Sequence, residues 1–159
     1  MMSSLQNMVK VLRATGSSFS LAESCTGGLA SKLITDSPGC SDYFLGSAVT
    51  YSNISKIRLL NVSVKTLMDQ GAVSEDTAIE MAKGAAEIFN SDYAASTTGI
   101  AGPGGATEKK PIGMVCIGLT DRRRSLAFTF NFEGDRDAVR HKSSEKVFEL
   151  LMDFILEKI

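Results

Sequence analysis

Ser24 stands in Ala22-Glu23-Ser24-Cys25-Thr26-Gly27-Gly28, where the apolar run from Phe19 to Ala22 gives way to polar and glycine residues before an apolar-periodic stretch resumes. That pattern predicts a strand over 19–22, a tight turn, and a helix from Thr26 to about Thr35. Such a turn sets one side chain at the carboxyl edge of a strand. The first free amides of the helix face whatever sits there, which suits an anion. Ser24 is the candidate nucleophile, and Gly27 and Gly28 let backbone come close to a ligand. Taken alone, the seven residues fit a plain strand-to-helix loop with a Thr26 cap equally well.

A serine nucleophile needs a base. The single histidine, His141, lies between Arg140 and Lys142 and reads as part of a solvated face, and one histidine excludes a histidine-rich zinc site. Serine-lysine pairs follow the same logic as the serine-histidine triad. Lys56 follows the end of a predicted strand, as Ser24 does, whereas Lys10, Lys32, Lys65 and Lys83 fall on helix exteriors. In isolation Lys56 reads as surface charge. A lysine base must be neutral part of the time, so its pKa has to fall from about 10.4 towards about 7 to 8. Burial or a nearby cation such as Arg136 would lower it, and contact with Glu23 would raise it. Glu23 is therefore expected to be turned away, or engaged with backbone or substrate hydroxyls. Cys25 is assigned to packing or the pocket wall rather than to a reactive thiolate.

Alternating helices and strands are expected to position these residues. Leu5, Met8 and Leu12 mark an amphipathic helix ended by Gly16. Phe44 to Tyr51 reads as a strand, followed by a short helix carrying Lys56 near its start and another capped by Ser63 and ended by Gly71. Ser74 opens a longer helix, whose small residues Ala78, Ala82 and Ala85 would let it lie close against a sheet. Tyr93 to Thr97 is a strand running into a second glycine-rich loop, Thr98-Gly99-Ile100-Ala101-Gly102-Pro103-Gly104-Gly105. Ile112 to Leu119 is apolar at both parities, as a central strand covered on both faces would be. Leu126, Phe128, Phe130 and Phe132 alternate with Ala127, Thr129 and Asn131, giving a half-exposed strand joined to the previous one by a hairpin through Asp121 to Arg124. Gly134-Asp135-Arg136-Asp137 starts the last helix. The expected fold is a three-layer α/β/α sandwich with a mixed sheet, one domain over 1–159. In open α/β sheets ligands gather at the carboxyl ends of strands, so the two glycine-rich loops can share one site.

Composition narrows the function. The chain has 159 residues, 43% hydrophobic, with a formal charge of −1. The basic residues are scattered apart from Arg122-Arg123-Arg124, so no nucleic-acid footprint is expected. No stretch is apolar for the length of a membrane span, no signal-peptide pattern opens the sequence, and a cytoplasmic protein is expected. Three cysteines without CxxC spacing disfavour disulfides and structural zinc. Neither loop carries GxxxxGK[ST] or the spacing of GxGxxG.

The ordered motifs Ala22 to Gly28, Val49-Thr50-Tyr51-Ser52-Asn53 with Lys56, Gly71-Ala72-Val73-Ser74, Thr98 to Gly105 and Lys110-Pro111-Ile112-Gly113 span nearly the whole chain. Together they resemble the CinA carboxy-terminal domain family, the nicotinamide-nucleotide amidases. The resemblance implies hydrolysis of the carboxamide of nicotinamide mononucleotide to nicotinate mononucleotide and ammonia, with no metal or other cofactor. It places Ser24 as the nucleophile and Lys56 beside it, with Tyr51 and Thr98 lining the pocket and Thr98 relaying a proton or orienting the amide. Substrate-binding roles follow for Glu23, Thr26, Gly27, Gly28, Gly99, Gly102, Gly104 and Gly105, with loop amides near Cys25 to Gly28 or Gly99 holding the oxyanion. Arg136 or Arg140 is assigned to the phosphate, a salt bridge tying down the last helix being the alternative. The resemblance is to the family's stand-alone form, and no larger amino-terminal domain is expected. A homodimer is suggested by the resemblance and by the Phe128, Phe130 and Phe132 face, which a helix would cover equally well. Two other readings stay open: a non-catalytic nucleotide-binding module, and an amidase or esterase for another nucleotide.

Overall fold

The computed structural model describes residues 3–159, so the first two residues of the expected 1–159 domain lie outside the described part. One five-stranded sheet runs through it in the order β2-β1-β3-β4-β5. Strands β1 (Phe19–Glu23), β2 (Phe44–Val49) and β3 (Tyr93–Gly99) are parallel. Strands β4 (Met114–Thr120) and β5 (Ser125–Asn131) add antiparallel, which makes the sheet mixed. Helices α1 (Ser4–Thr15), α2 (Leu29–Thr35) and α6 (Arg136–Ile155) pack on one face with the larger apolar core. Helices α3 (Asn53–Leu60), α4 (Val64–Gln70) and α5 (Glu75–Phe89) cover the other. This is the three-layer α/β/α sandwich with a mixed sheet that the alternation of periods predicts.

Local chemistry sets the ends of the elements. Ser3 and Gln6 form a reciprocal capping box on α1, and Gly16 closes that helix in the left-handed region at φ 65. Ser63, Ser74 and Asp135 cap α4, α5 and α6 with side-chain oxygens. The arginine run of the β4–β5 hairpin caps helices from the opposite direction. Arg122 donates to the Ala86 carbonyl (2.6 Å) and to Asn90 Oδ1 (3.0 Å) at the end of α5. Arg124 donates to the carbonyls of Phe154 (3.0 Å) and Ile159 (2.8 Å) at the end of α6 and lies 4.0 Å from the centre of the Phe154 ring. The aromatic stripe of β5 is partly buried against the core that α6 closes, with Lys146 above Phe130. No helix among the described residues is long and apolar enough to cross a membrane.

Several boundaries move from their sequence-based positions, among them that of β4, which begins at Met114 instead of Ile112 because a turn closed by the Met114 amide on the Pro111 carbonyl leaves Ile112 exposed. The second helix begins at Leu29 instead of Thr26, because Gly27 (φ 59) and Gly28 (φ 95) occupy positive φ and cannot continue a right-handed helix. Strand β3 keeps its ladder through Gly99, two residues further than expected, since Thr98 and Gly99 pair with Cys116 and Val115. Strand β2 stops at Val49, and Thr50 only donates its amide to the Glu23 carbonyl (2.8 Å).

Chain direction at the carboxyl edge makes the crevice. After β1 the backbone turns to α2 on one face, and after neighbouring β2 it turns to α3 on the other. Helix α5 lies close over the sheet through Ala78, Ala82 and Ala85, all fully buried. It also crosses α3 at Gly84, where a Cβ would sit on the Leu60 carbonyl oxygen. Gly84→Ala gains about 1 kcal/mol of helix propensity but forces two backbones apart, an overpacking cost of about 1–3 kcal/mol or more. The expected outcome is a net loss of stability by urea denaturation, accompanied by displacement of α3 and the lysine it carries.

Candidate functional site

The turn after β1 is organised by a buried carboxylate. Glu23 is 1% exposed. Its Oε2 accepts from Thr26 Oγ1 (2.7 Å) and from the amides of Gly28 (2.9 Å) and Ala30 (3.2 Å). Its Oε1 accepts from the Ser31 amide (2.9 Å), the Ser31 hydroxyl and Ser47 Oγ (3.3 Å). The amides at the start of α2 that the sequence offers to an anionic ligand therefore already hold one, supplied by the chain itself. Of the postures expected for Glu23, the one engaged with backbone is observed. Thr26 is directed into the same network, with Thr97 Oγ1 2.8 Å from its hydroxyl. Arg140 clamps the outside of the turn, with Nε and Nη2 donating to the Thr26 carbonyl at 3.2 and 2.9 Å. Glu23, Thr26, Gly27, Gly28 and Arg140 thus shape the turn from behind and do not line the cleft beside Ser24.

That turn presents Ser24 to Lys56. Lys56 lies on α3, is 1% exposed, and its Nζ is 2.9 Å from Ser24 Oγ and 2.8 Å from the Thr50 carbonyl oxygen. Burial pushes its pKa below the ordinary 10.5. The cause is loss of hydration and not a neighbouring cation, since Arg136 is bound elsewhere. The opposing influence, the Cys25 thiol, would hold the ammonium only if ionised. Burial raises that thiol to about 12, so it stays neutral near pH 7. In its neutral form Lys56 can donate one N–H to the Thr50 carbonyl, which leaves its lone pair to take the Ser24 proton. Ser24 and Lys56 therefore have the contact that a nucleophile and its base require.

Both residues open onto a cleft of about 250 Å³ at the carboxyl edge of the sheet. The 98–105 loop forms its far wall, including Gly99, Gly102, Gly104 and Gly105, and Ala72 and Val73 form one side. Gly99 is required by packing as much as by access: a Cβ there would lie 2.6 Å from Val115 Cγ2 and 2.7 Å from the Met114 carbonyl oxygen. Thr98 is buried, and its hydroxyl donates to the Ala72 carbonyl at 2.6 Å. That proton is committed away from Ser24, so Thr98 can accept from a ligand but does not relay to the serine in this arrangement. Tyr51 and Arg136 close the mouth. Arg136 donates to Tyr51 Oη (2.8 Å) and to the Gly102 carbonyl (2.9 Å), tying the loops after β2 and β3 to the start of α6. Asn53, the first residue of α3, also lines the cleft and was missing from the expected site. Its spacing of three residues before Lys56 is the sequence signal that would have found it. Among the described residues no cluster of histidine, cysteine and carboxylate side chains could hold a metal ion.

Loop amides differ in what they have left to give. Ser24 N–H is donated to the Thr97 carbonyl (2.9 Å), Gly27 N–H to the Ser24 carbonyl (3.1 Å), and Gly28 N–H to Glu23. Two of the amides expected to serve an oxyanion, those of Gly27 and Gly28, are therefore engaged. Those of Cys25 and Thr26 have no oxygen acceptor among the described residues, and neither do those of Ala101 and Gly102.

A family model described as the CinA C-terminal domain matches residues 2–155. A CinA-like protein of Endomicrobium trichonymphae is 50% identical over 139 residues, which is 87% of this chain and 32% of that protein. Another, of Chloroherpeton thalassium, is 47% identical over 154 residues, 94% of this chain and 37% of that protein. The chain spans about a third of the length of the curated relatives it matches. Among solved structures, a CinA superfamily protein from Klebsiella pneumoniae superposes with a TM-score of 0.93 at 27% identity, covering 97% of this chain and 96% of that one. The competence/damage inducible protein CihA of Agrobacterium tumefaciens gives 0.89 at 34% identity, covering 92% and 90%.

Two measurements test this geometry. Glu23→Gln sets an NH2 group against N–H donors of α2, and a loss of about 2–3 kcal/mol in unfolding free energy is expected, with impaired presentation of Ser24. For Lys56, the unfolded chain keeps its proton up to about 10.5, and the folded chain releases it at lower pH. Between those two values the unfolded state binds more protons, so stability rises with pH. In urea titrations the wild type should gain stability relative to Lys56→Met as the pH is raised from about 7 towards about 10.

Proposed function

The chain belongs to the CinA C-terminal domain family, and on that premise we propose that it is an amidohydrolase using a Ser24–Lys56 pair, with the carboxamide of nicotinamide mononucleotide as substrate. The observation that carries the reading is the 2.9 Å contact between Ser24 Oγ and the Nζ of a buried lysine with a lowered pKa. A surface lysine would stay charged at neutral pH and could not act as a base. Lys56 has been taken out of water by α3, and it meets the one serine that a strand-to-helix turn directs into the cleft.

In the proposed reaction the Lys56 lone pair takes the Ser24 proton as Oγ bonds to the carboxamide carbon. The carbonyl electrons move onto oxygen, giving a tetrahedral oxyanion. The uncommitted Cys25 amide is its nearest donor in sequence to the nucleophile, with those of Ala101 and Gly102 across the cleft. The oxyanion then re-forms the carbonyl as the C–N bond breaks. The departing nitrogen takes the proton held by Lys56 and leaves as ammonia. A water molecule adds to the acyl-serine with Lys56 again removing a proton, the C–Oγ bond breaks, and that proton returns to Ser24. Nicotinate mononucleotide is released, in keeping with a role in recycling pyridine nucleotides. Arg136 and the loop after β3 offer the cationic and N–H groups for the phosphoribosyl part of the substrate. Arg140, engaged with the Thr26 carbonyl, is assigned to the turn.

Ammonia release from nicotinamide mononucleotide by the purified protein, without added metal, tests the reading. Ser24→Ala and Lys56→Ala are each expected to lower kcat by about 10³-fold or more with folded circular dichroism spectra. Activity of the wild type should fall on the acid side with an apparent pKa well below 10.5, the ordinary lysine value. Binding without turnover would instead support a non-catalytic nucleotide module.

A further inference from the structure

The polar side chains that face the cleft are, with one exception, already engaged. Ser24 is bonded to Lys56, and Lys56 also to the Thr50 carbonyl. Thr98 is spent on Ala72, Tyr51 on Arg136, and Arg136 on Gly102 as well. The Cys25 thiol is buried and stays neutral near pH 7. Asn53 lines the same cleft and has no hydrogen-bond partner among the described residues. Its own helix does not need it: Ser52 caps α3 by accepting from the Ser55 amide at 3.2 Å. Asn53 and Lys56 are three residues apart on one helix, which places their side chains on the same face, with Lys56 buried at the floor and Asn53 exposed at the mouth.

We propose that Asn53 determines specificity for the primary amide, its Oδ1 accepting an N–H of the substrate's carboxamide nitrogen. The assignment rests on the amidase reading above. It gives that nitrogen a defined orientation, with one N–H directed to Asn53 and its developing lone pair free to receive the proton of Lys56. An ester of the same acyl group has no N–H to donate. The product carboxylate has no N–H to donate either, so the contact that recognises the amide is lost once the acid has formed.

The test compares three ligands: nicotinamide mononucleotide, the methyl ester of nicotinate mononucleotide, and nicotinate mononucleotide as an inhibitor. With Asn53→Ala, kcat/KM for the amide is expected to fall about tenfold or more, and turnover of the ester and inhibition by the acid each to change less than about threefold. Asn53→Asp retains an acceptor and adds a charge one turn from Lys56. It should keep the preference for amide over ester and move the acid limb of the pH profile upward, because a nearby carboxylate favours the ammonium form. The first residue of a capped helix tolerates either change, and thermal melting of both variants checks the fold. Equal losses on amide and ester, or no loss on the amide, would overturn the role of Asn53 while leaving the amidase reading intact. Absence of amide turnover in the wild type would overturn the amidase reading and this assignment with it.

Discussion

The carbonyl edge of this protein depends on one carboxylate. Glu23 ends β1 and reaches forward to the amides of Gly28, Ala30 and Ser31, three of the donors that a helix start leaves without partners. The hydroxyls of Thr26, Ser31 and Ser47 complete its coordination. This forward reach fixes the length of the turn. Four residues, Ser24 to Thr26 and then Gly27, must fold back within a side chain's span, and only glycine at 27 and 28 allows the positive φ that such a return requires. With its carboxylate directed into α2, the strand leaves the next residue, Ser24, as the one that meets the cleft. A feature that in the sequence looks like an anion site for a ligand is in the fold a device for aiming a serine.

Lys56 imposes the complementary constraint. An amine brought from water to a site 1% exposed, with two oxygens for partners and no carboxylate, is destabilised in its charged form. The fold tolerates that cost because α3 is held on both sides. Gly84 brings α5 against it, and the Thr50 carbonyl meets the amine from the β2 end. Diverting Glu23 to the neighbouring turn matters here as well. A carboxylate next to Lys56 would repair the burial and remove the reactivity, so the two buried charged residues of this edge are kept useful by being kept apart.

Much of the arrangement was legible in the sequence because it follows from local rules. The strand-turn-helix around Ser24, the caps at Ser63 and Ser74, and the apolar parity of β4 each come from neighbours within a few residues. The pairing of Ser24 with Lys56 was also legible, since both follow neighbouring strands. What the sequence did not disclose is which partner a polar side chain chooses when several are available. Glu23 and Arg140 have the composition of ligand-binding residues, and both are used on backbone, because the turn they secure exposes a carbonyl and amides nearer than any ligand. Thr98 reads as a cleft hydroxyl, and its proton goes to Ala72, which lies 26 residues away in sequence and is brought beside it by α4 and α5. Asn53 was overlooked for the opposite reason: a polar residue at a helix start reads as a cap, and only the structure shows that Ser52 already fills that role.

The cations around the cleft share a habit that bears on the charge a ligand would meet. Arg140 takes the carbonyl of Thr26, Arg136 that of Gly102, and Lys110 that of Gln70 at 2.5 Å. Hydroxyls do the same at the bend before α5, where Thr77 and Ser74 hold the Gly71 carbonyl and Thr98 that of Ala72. The bonds at Ala72 and Gly102 occupy carbonyl oxygens of residues that line the cleft, and those at Thr26, Gln70 and Gly71 fasten the backbone beside it. The amides of Ala101 and Gly102 have no backbone acceptor among the described residues. Where lining carbonyls are occupied by the protein's own donors and lining amides are not, the balance of backbone dipoles left to a ligand favours oxygen that gains negative charge over oxygen that is neutral. The same bonds that hold the loops therefore also bias the backbone groups left to a ligand beside Ser24 towards donors.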